Sequence, residues 1–365
     1  MALSKVNPNF VNVSQVGGRR NLIINGSHRV AQRATAAVTV TTSAQYRTVD
    51  RWKTDIDGSS GHDFSHEQST DAPAGFGYSS KITVVTSGAQ PTGASANHQF
   101  YTILERQDVQ HFEWGSATAK PVTFSFYVKS SVTGKHGIRF IHYGSSTNPI
   151  YNTHYTINAA NTWERKIITV TGPTTSGIRP DANDQGFIVE FKLGNDGDKI
   201  GQSGYQAWST SAGTAIETGT VYLPATAGAT WLVTGCQLEL GSVATDFEHL
   251  SMGEELSLCQ RYYQQISGNS DAFVVPAKCQ GGSSVDASIP LTVPLRASPT
   301  LSSINSRAFH DAGFSASSST TPTPTQYADN NIVLAVNCGG FSGLTNNEIA
   351  NWGPVSNTLK IDAEM

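Results

Sequence analysis

The chain has 365 residues, only 14% of them charged, with a formal net charge of −4. Its lysines and arginines are scattered, Arg19-Arg20 being the densest pair, so no basic stripe exists to release counterions from a phosphate backbone, and nucleic acid is excluded as a partner. The length accommodates two domains with separate cores, and abundant Gly, Ser and Thr beside few charges is the composition of β-rich surface proteins rather than of a helical enzyme.

No run of about 20 apolar residues is present, so no membrane insertion is expected, and the first residues hold no apolar core of signal-peptide length. Cys236, Cys259, Cys279 and Cys338 form no Cys-x-x-Cys pair, which argues against zinc or redox chemistry. Cys236 and Cys259 read as small core hydrophobes.

In chain order, residues 1–20 are too polar to build a core and read as an arm. Asn21-Leu-Ile-Ile-Asn-Gly26 would enter the first domain as a short strand and turn. Val49 to Gly77 reads as irregular, rich in turn formers. Within it, His62 and His66 stand four apart beside Asp63 and Glu67. That spacing could hold a metal on a helix, but the flanking glycines and proline point to a polar loop, and no metal is assigned. Strands then recur: Lys81 to Thr86, Phe100 to Glu105, Ile138 to Tyr143 and Lys166 to Val170. In the clearest, Val122, Phe124, Phe126 and Val128 alternate with polar residues, and Phe187, Val189, Phe191 and Leu193 alternate with Ile188, Glu190 and Lys192. Gly194-Asn-Asp-Gly-Asp198 reads as a tight turn rather than a calcium loop, lacking the full spaced ligand set.

Leu232, Thr234, Cys236, Leu238 and Leu240 share one phase of a half-buried strand, with Gln237 and Glu239 on the other. Ser251 and Glu254 fit a capping box. Beyond it Met252, Leu256, Cys259, Tyr263 and Ile266 are spaced 4, 3, 4 and 3. This predicts a connecting helix over 251–268 whose apolar stripe would pack a homotrimer. After it Val285 to Leu295 alternates with Pro290 and Pro294 on the outward phase, which predicts an edge strand. Ser315 to Thr325 reads as an exposed loop, and Ile332 to Cys338 and Leu359 to Met365 as two more strands. The expected fold is all-β: an antiparallel sandwich over 21–250, the helix, and a smaller C-terminal β-sandwich domain over 269–365.

The chain has no nucleophile elbow, phosphate loop or dinucleotide fingerprint, so no catalytic residue and no cofactor is assigned. A pair of carboxylates on different strands could still hydrolyse a glycoside, a geometry that sequence does not reveal. Two stretches suit a ligand better. Tyr143, Tyr151, His154 and Tyr155 interleave with short polar residues, and Tyr205 and Trp208 form a second such group. Aromatic rings beside Asn, Gln and Ser match both the apolar face and the hydroxyl rim of a sugar.

Gln237-Leu-Glu-Leu-Gly-Ser-Val-Ala-Thr-Asp-Phe-Glu-His249, followed by Gly253-Glu-Glu-Leu-Ser-Leu-Cys-Gln-Arg-Tyr-Tyr263, resembles a signature of bacteriophage tail-fibre or minor structural virion proteins. Further anchors are Asn21 to Gly26, Val122 to Ser130, Asn161 to Lys166 and Pro294 to Thr300. The resemblance implies a carbohydrate-binding-module-like jelly roll in the first domain. It also implies a virion protein assembled in the host cytoplasm, an N-terminal arm anchored to other phage virion proteins, a threefold assembly and a host surface glycan as a possible ligand. Alternatives are a head fibre, a capsid-decorating protein or a tail adaptor, and a polysaccharide depolymerase.

Overall fold

The computed structural model describes residues 19–365 apart from 42–43, 57–60, 93–96, 178–182, 196–200, 202–204, 211–216, 268–274, 303–305, 311–313, 319–321, 327–331 and 355–357. The expected arm over 1–20 lies outside the described residues except for Arg19 and Arg20, and so do residues 196–198 of the expected tight turn. Among the described residues, strands dominate and every strand pairing is antiparallel. The chain divides into two units, Met1–Ser251 and Met252–Met365.

The strands of the first unit are Val38–Val40 (β1), Gln45–Tyr46 (β2), Trp52–Ile56 (β3), Asp63–Ser69 (β4), Ser79–Thr86 (β5), Asn97–Glu105 (β6), Val122–Ser130 (β7), Gly134–His142 (β8), Ile150–Ile157 (β9), Glu164–Val170 (β10), Gln185–Asn195 (β11), Trp208–Ser209 (β12) and Thr230–Leu240 (β13). They form a six-stranded sheet, β1-β4-β5-β13-β7-β10, and a seven-stranded sheet, β12-β9-β8-β11-β6-β3-β2. This is an antiparallel jelly-roll sandwich. Alternation drives it: Phe124, Phe126 and Val128 of one sheet and Phe187, Val189 and Phe191 of the other are at most 0% exposed and share one core with Trp52, Phe100 and Trp231. Burying each such side chain stabilises the fold by roughly 1.5–3 kcal/mol.

The stretch expected to be irregular contains two strands, β3 and β4. Their inward positions mix apolar Trp52, Ile56 and Phe64 with polar Thr54 and His66, all fully buried, which hides the alternation. The polar members satisfy one another. His66 meets Thr48 Oγ1 at 2.9 Å, Thr54 Oγ1 at 3.0 Å and Ser80 Oγ at 3.2 Å, and His28 Nδ1 meets Ser80 Oγ at 2.7 Å. His62 instead sits beside Tyr222, whose hydroxyl lies 3.0 Å from His62 Nδ1 and 3.2 Å from His98 Nε2. Both histidines are therefore engaged by hydroxyls, in separate places. Among the described residues no three His, Cys, Asp or Glu side chains gather to hold a metal.

β13 also departs from the expected single phase. Trp231 and Val233 face the core on odd positions, whereas Cys236, Leu238 and Leu240 do so on even ones. The switch is a bulge between Thr234 and Gln237, with Gly235 at φ +62°, the left-handed conformation that glycine adopts without strain. Into this bulge fits the Asn21–Gly26 segment. Asn21 Oδ1 accepts from the Leu238 amide at 3.1 Å, its Nδ2 donates to Cys236 O at 3.0 Å, and the Cys236 amide donates to Gly26 O at 2.9 Å. A Cβ at Gly26 would fall 2.0 Å from Cys236 O, so only glycine fits.

The signature residues after the bulge fold a strap, 242–250, back onto the outer face of β13. Gln237 Oε1 accepts from the Glu248 amide at 2.7 Å, Glu239 accepts from the Thr245 amide at 3.0 Å, and Glu248 Oε2 accepts from the amides of Arg20 and Asn21, each at 2.8 Å. These polar residues close the sandwich by tying its entry to its exit.

In the second unit the helix Met252–Gln260 precedes Tyr263–Ser267 (β14), Val275–Gln280 (β15), Ser284–Pro290 (β16), Thr300–Ser302 (β17), Ser306–His310 (β18), Phe314–Ser318 (β19), Thr323–Gln326 (β20), Val333–Cys338 (β21), Ile349–Pro354 (β22) and Thr358–Asp362 (β23). Their sheets are β14-β23-β17 and β19-β18-β22-β15-β16-β21-β20. Three expectations are corrected here. The helix stops at Gln260, so Tyr263 and Ile266 lie on β14, and Cys259 and Tyr263 are buried. The stripe Met252, Leu256, Cys259, Tyr263, Ile266 is therefore no continuous helical seam: β14 pairs with β23, and tertiary pairing overrides the helical spacing. Next, β16 is an interior strand, with β15 and β21 on its two sides, and it ends at Pro290, so proline removes no bond from mid-ladder. Finally, the expected loop 315–325 holds most of β19 and part of β20, the two edges of the larger sheet, where Pro324 is tolerated.

Candidate functional site

Parity along each strand decides which candidate residues reach solvent. On β9, Tyr151 pairs with Phe140, and Tyr155 with His136, both on the core side of the seven-stranded sheet. Tyr155 is 4% exposed and its hydroxyl accepts from Trp231 Nε1 at 2.8 Å; it is a core side chain, not a surface contact. Trp208 pairs with Tyr151, packs 5.2 Å from Trp114 and donates to Thr171 O at 2.6 Å. Tyr151 and Trp208, both half-buried, therefore pack against the core along the sandwich rim.

Tyr143, His154 and Tyr205 go the other way. Strand register arranges the outward positions of this sheet in two rows. One runs Tyr46, Lys53, Tyr101, Glu190, Arg139, Asn152 and, by an isolated bridge, Tyr205. The other runs Asp55, Gln99, Lys192, Gly137, His154. With strands about 4.8 Å apart, each crosses the sheet for some 20–30 Å.

The floor of this face is a polar network. Arg139 Nη2 lies 2.6 Å from Glu190 Oε2, and Lys192 Nζ lies 2.5 Å from Glu190 Oε1, 2.6 Å from Asn97 Oδ1 and 3.1 Å from Gln99 Oε1. Gln99 Nε2 continues it to Asp55 Oδ2 at 2.8 Å. Glu190 is 2% and Lys192 3% exposed. Burial pushes the Glu190 carboxyl up, but Arg139 and Lys192 outweigh it and hold the group below its usual range. For Lys192, burial and the charge of Arg139 prevail over the attraction of Glu190 and lower it to about 8. Gly137 leaves room above Lys192: a Cβ there would fall 3.0 Å from the lysine Cβ.

At one end of the rows is a more exposed cluster. Glu217 takes Lys135 Nζ on Oε1 at 2.7 Å and the Tyr205 hydroxyl on Oε2 at 2.9 Å, with His154 Nδ1 2.5 Å from the same oxygen. His154 and Tyr205 also contact each other with near-parallel rings. Lys135 first, then Tyr205, hold the Glu217 carboxyl below its usual range, although burial opposes them. At the other end Lys53 Nζ stands 5.0 Å from the Tyr46 ring and 6.0 Å from the Tyr101 ring, within reach of cation–π attraction. The Tyr101 hydroxyl is pushed up by burial, with Asp55 and Glu190 adding to the shift. Sequence reasoning passed over Glu190, Lys192, Arg139, Gln99 and Glu217. The signal for the first two was their place on the outward phase of β11.

No family model and no curated protein sequence matches the chain. Solved structures to which it is similar include the enzymatically active domain of bacteriophage CBA120 tailspike protein 4. That likeness has 12% identity and a TM-score of 0.30, and spans 60% of this chain and 21% of the tailspike chain. A family 11 carbohydrate-binding module from Clostridium thermocellum, in complex with a mixed-linked tetrasaccharide, matches over 59% of this chain and 99% of its own, at 11% identity and a TM-score of 0.27. The CBM22-1 xylan-binding domain from Paenibacillus barcinonensis Xyn10C covers 59% and 100%, at 12% and 0.26. At such scores none of these likenesses bears on what this chain binds or does.

Proposed function

We propose that this chain is a non-catalytic virion protein of a tailed bacteriophage, a tail fibre whose first unit holds a host-surface glycan on the outward face of its seven-stranded sheet. The observation that carries the reading is the pair of rows across that face, where tyrosine rings alternate with carboxylates, amides and cations already held in position by one another. A sugar needs that combination: flat apolar surface for its C–H face and fixed polar groups for its hydroxyls. Groups locked by neighbours lose little entropy on binding, and several copies on a particle would raise avidity without new contacts.

The signature resemblance supports the virion setting. Its residues serve the strap that closes the sandwich, so they favour no particular place on the particle, and a head fibre or adaptor is compatible with them. A threefold assembly now rests on the resemblance alone. Immunolabelling of intact particles should place the protein on tail fibres; label confined to the capsid would favour the alternative. Glycan arrays should show binding by the full chain, and incubation with host polysaccharide should release no oligosaccharide. Released fragments would replace this reading by a depolymerase.

A further inference from the structure

We infer that the second unit carries a ligand site of its own, a groove on the outward face of its larger sheet that takes a carboxylate-bearing sugar. The inference does not depend on the glycan reading of the first unit.

The groove follows from side-chain size. β15, β16 and β21 alternate buried and solvent-facing residues, and register sets the outward ones in rows. Lys278, Asp286 and Asn337 lie opposite one another across the three strands. Two residues along, about 7 Å away, stands the small pair Ser288 and Ala335, and beyond it Pro290 and Val333. The small pair therefore forms a trough with a charged wall on one side and an apolar wall on the other. At the sheet edge the β20–β21 ladder slips between Pro324 and Gln326, a bulge that brings Thr325 to the trough. Lys278, Asp286, Ser288, Thr325 and Ala335 line a cavity of about 520 Å³, within the roughly 300–1,000 Å³ of small-molecule clefts.

The polar groups of the groove decide its ligand. Gln280 Nε2 and Asn337 Nδ2 donate to the two Asp286 oxygens at 2.6 and 2.7 Å, which fixes the carboxylate. Lys278 is exposed directly opposite, and among the described residues no carboxylate lies in bridging range of its ammonium. Ser288 and Thr325 are exposed too, and each hydroxyl can donate or accept. A bare anion brought to Lys278 would face the charge of Asp286, whose side chain starts about 5 Å away across the strands. A neutral sugar would not use the lysine charge. A sugar bearing a carboxylate answers both groups: its carboxylate accepts from Lys278, and its hydroxyls donate to Asp286 in charge-assisted bonds. Its C–H edge then rests on Pro290 and on Val333, which is 38% exposed.

Ligand-observed NMR titration of the full chain tests this with glucuronate and galacturonate trisaccharides and their neutral glucose and galactose counterparts. At least one uronate should bind, with Kd rising at least about threefold between about 50 and 500 mM NaCl, because the contact is exposed to screening. Lys278→Gln removes the charge and Ala335→Gln fills the trough; each should weaken that binding at least about tenfold, with urea unfolding unchanged. Tyr205→Ala, on the first unit's face, should leave uronate affinity as in wild type, and any binding of a neutral counterpart should survive Lys278→Gln. No uronate binding by the full chain, or uronate binding retained in both Lys278→Gln and Ala335→Gln, would overturn the inference and leave the first unit's glycan reading standing. Loss of uronate binding in Tyr205→Ala would also overturn it, by moving the acidic sugar to the first unit.

Discussion

His28 and His66 make the first unit sensitive to acid in a way that can be calculated. Both are fully buried, and burial is the main reason each is depressed, His66 to about 3. Each also opposes the other's charge or meets a neighbouring cation: His66 acts on His28, and Arg47 on His66. Above pH 6.5 folded and unfolded histidines are both neutral and nothing changes. Below it the unfolded chain takes up protons that the folded core refuses, so stability falls by about 1.4 kcal/mol per pH unit for each such group, until its folded pKa is reached. From pH 6.5 to 5, before most carboxylates titrate, His66 alone removes about 2 kcal/mol, and His28 adds in the same direction. Urea unfolding followed by tryptophan fluorescence reads this unit, which contains five of the six tryptophans. His66→Gln should be less stable at pH 7.5 by about 1–3 kcal/mol, since three hydroxyls lose their partner. Its stability should fall less steeply with acid, the slopes differing by about 1.4 kcal/mol per unit. Parallel slopes for the two proteins would show that His66 is not held neutral, and the packing argument for this core would be wrong.

Three further outcomes follow from the same packing. Tyr155→Phe leaves Trp231 Nε1 without its acceptor and should lower stability by about 1–3 kcal/mol, measured by urea unfolding, while glycan affinity stays unchanged. Gly26→Ala pushes a Cβ against Cys236 O and should cost about 3 kcal/mol or more, or leave the protein insoluble; an unchanged melting curve would contradict the bulge-and-insert geometry. Glu248→Ala removes the acceptor of the Arg20 and Asn21 amides and should cost about 1–2 kcal/mol, with faster hydrogen exchange near residues 20–25 and 242–250.

Sequence reached the fold where strands bury purely apolar faces. β7 and β11 were legible because the inward residues over 122–128 and 187–193 are all Phe, Val or Leu at a two-residue period. β3 and β4 were not, because Thr54 and His66 occupy inward positions and are made acceptable there only by hydroxyls from residues 48 and 80, contacts no local pattern announces. β13 was recognised as a strand, but its bulge at Gly235 reverses the phase halfway, so Leu232 and Thr234 were assigned to the wrong side. The helical stripe misled for a related reason: spacing of 4 and 3 permits a helix, but Tyr263 and Ile266 gain more by pairing with β23.

The candidate face was legible only in part. Tyr143, His154 and Tyr205 were singled out for their aromatic and polar character, and they lie on the outward face. Tyr151, Tyr155 and Trp208 were chosen on the same grounds, yet alternation within β9 could have set the first two apart, since Tyr151, Thr153, Tyr155 and Ile157 share a phase opposed to Asn152 and His154. The Arg139, Glu190, Lys192 and Gln99 network is assembled from three strands far apart in sequence, and only the strand order brings it together.

The central claim is that glycan recognition resides on the outward face of the seven-stranded sheet. Its most direct test compares affinity for an array-identified glycan in three single variants of the full chain: His154→Ala and Tyr205→Ala on that face, and Ile167→Ala, which is 53% exposed on β10 of the other sheet. The account predicts that each of the first two weakens binding by about tenfold, the equivalent of one lost hydrogen-bonding group, and that Ile167→Ala binds as wild type. Full affinity in both His154→Ala and Tyr205→Ala, or an equal loss in Ile167→Ala, would contradict it.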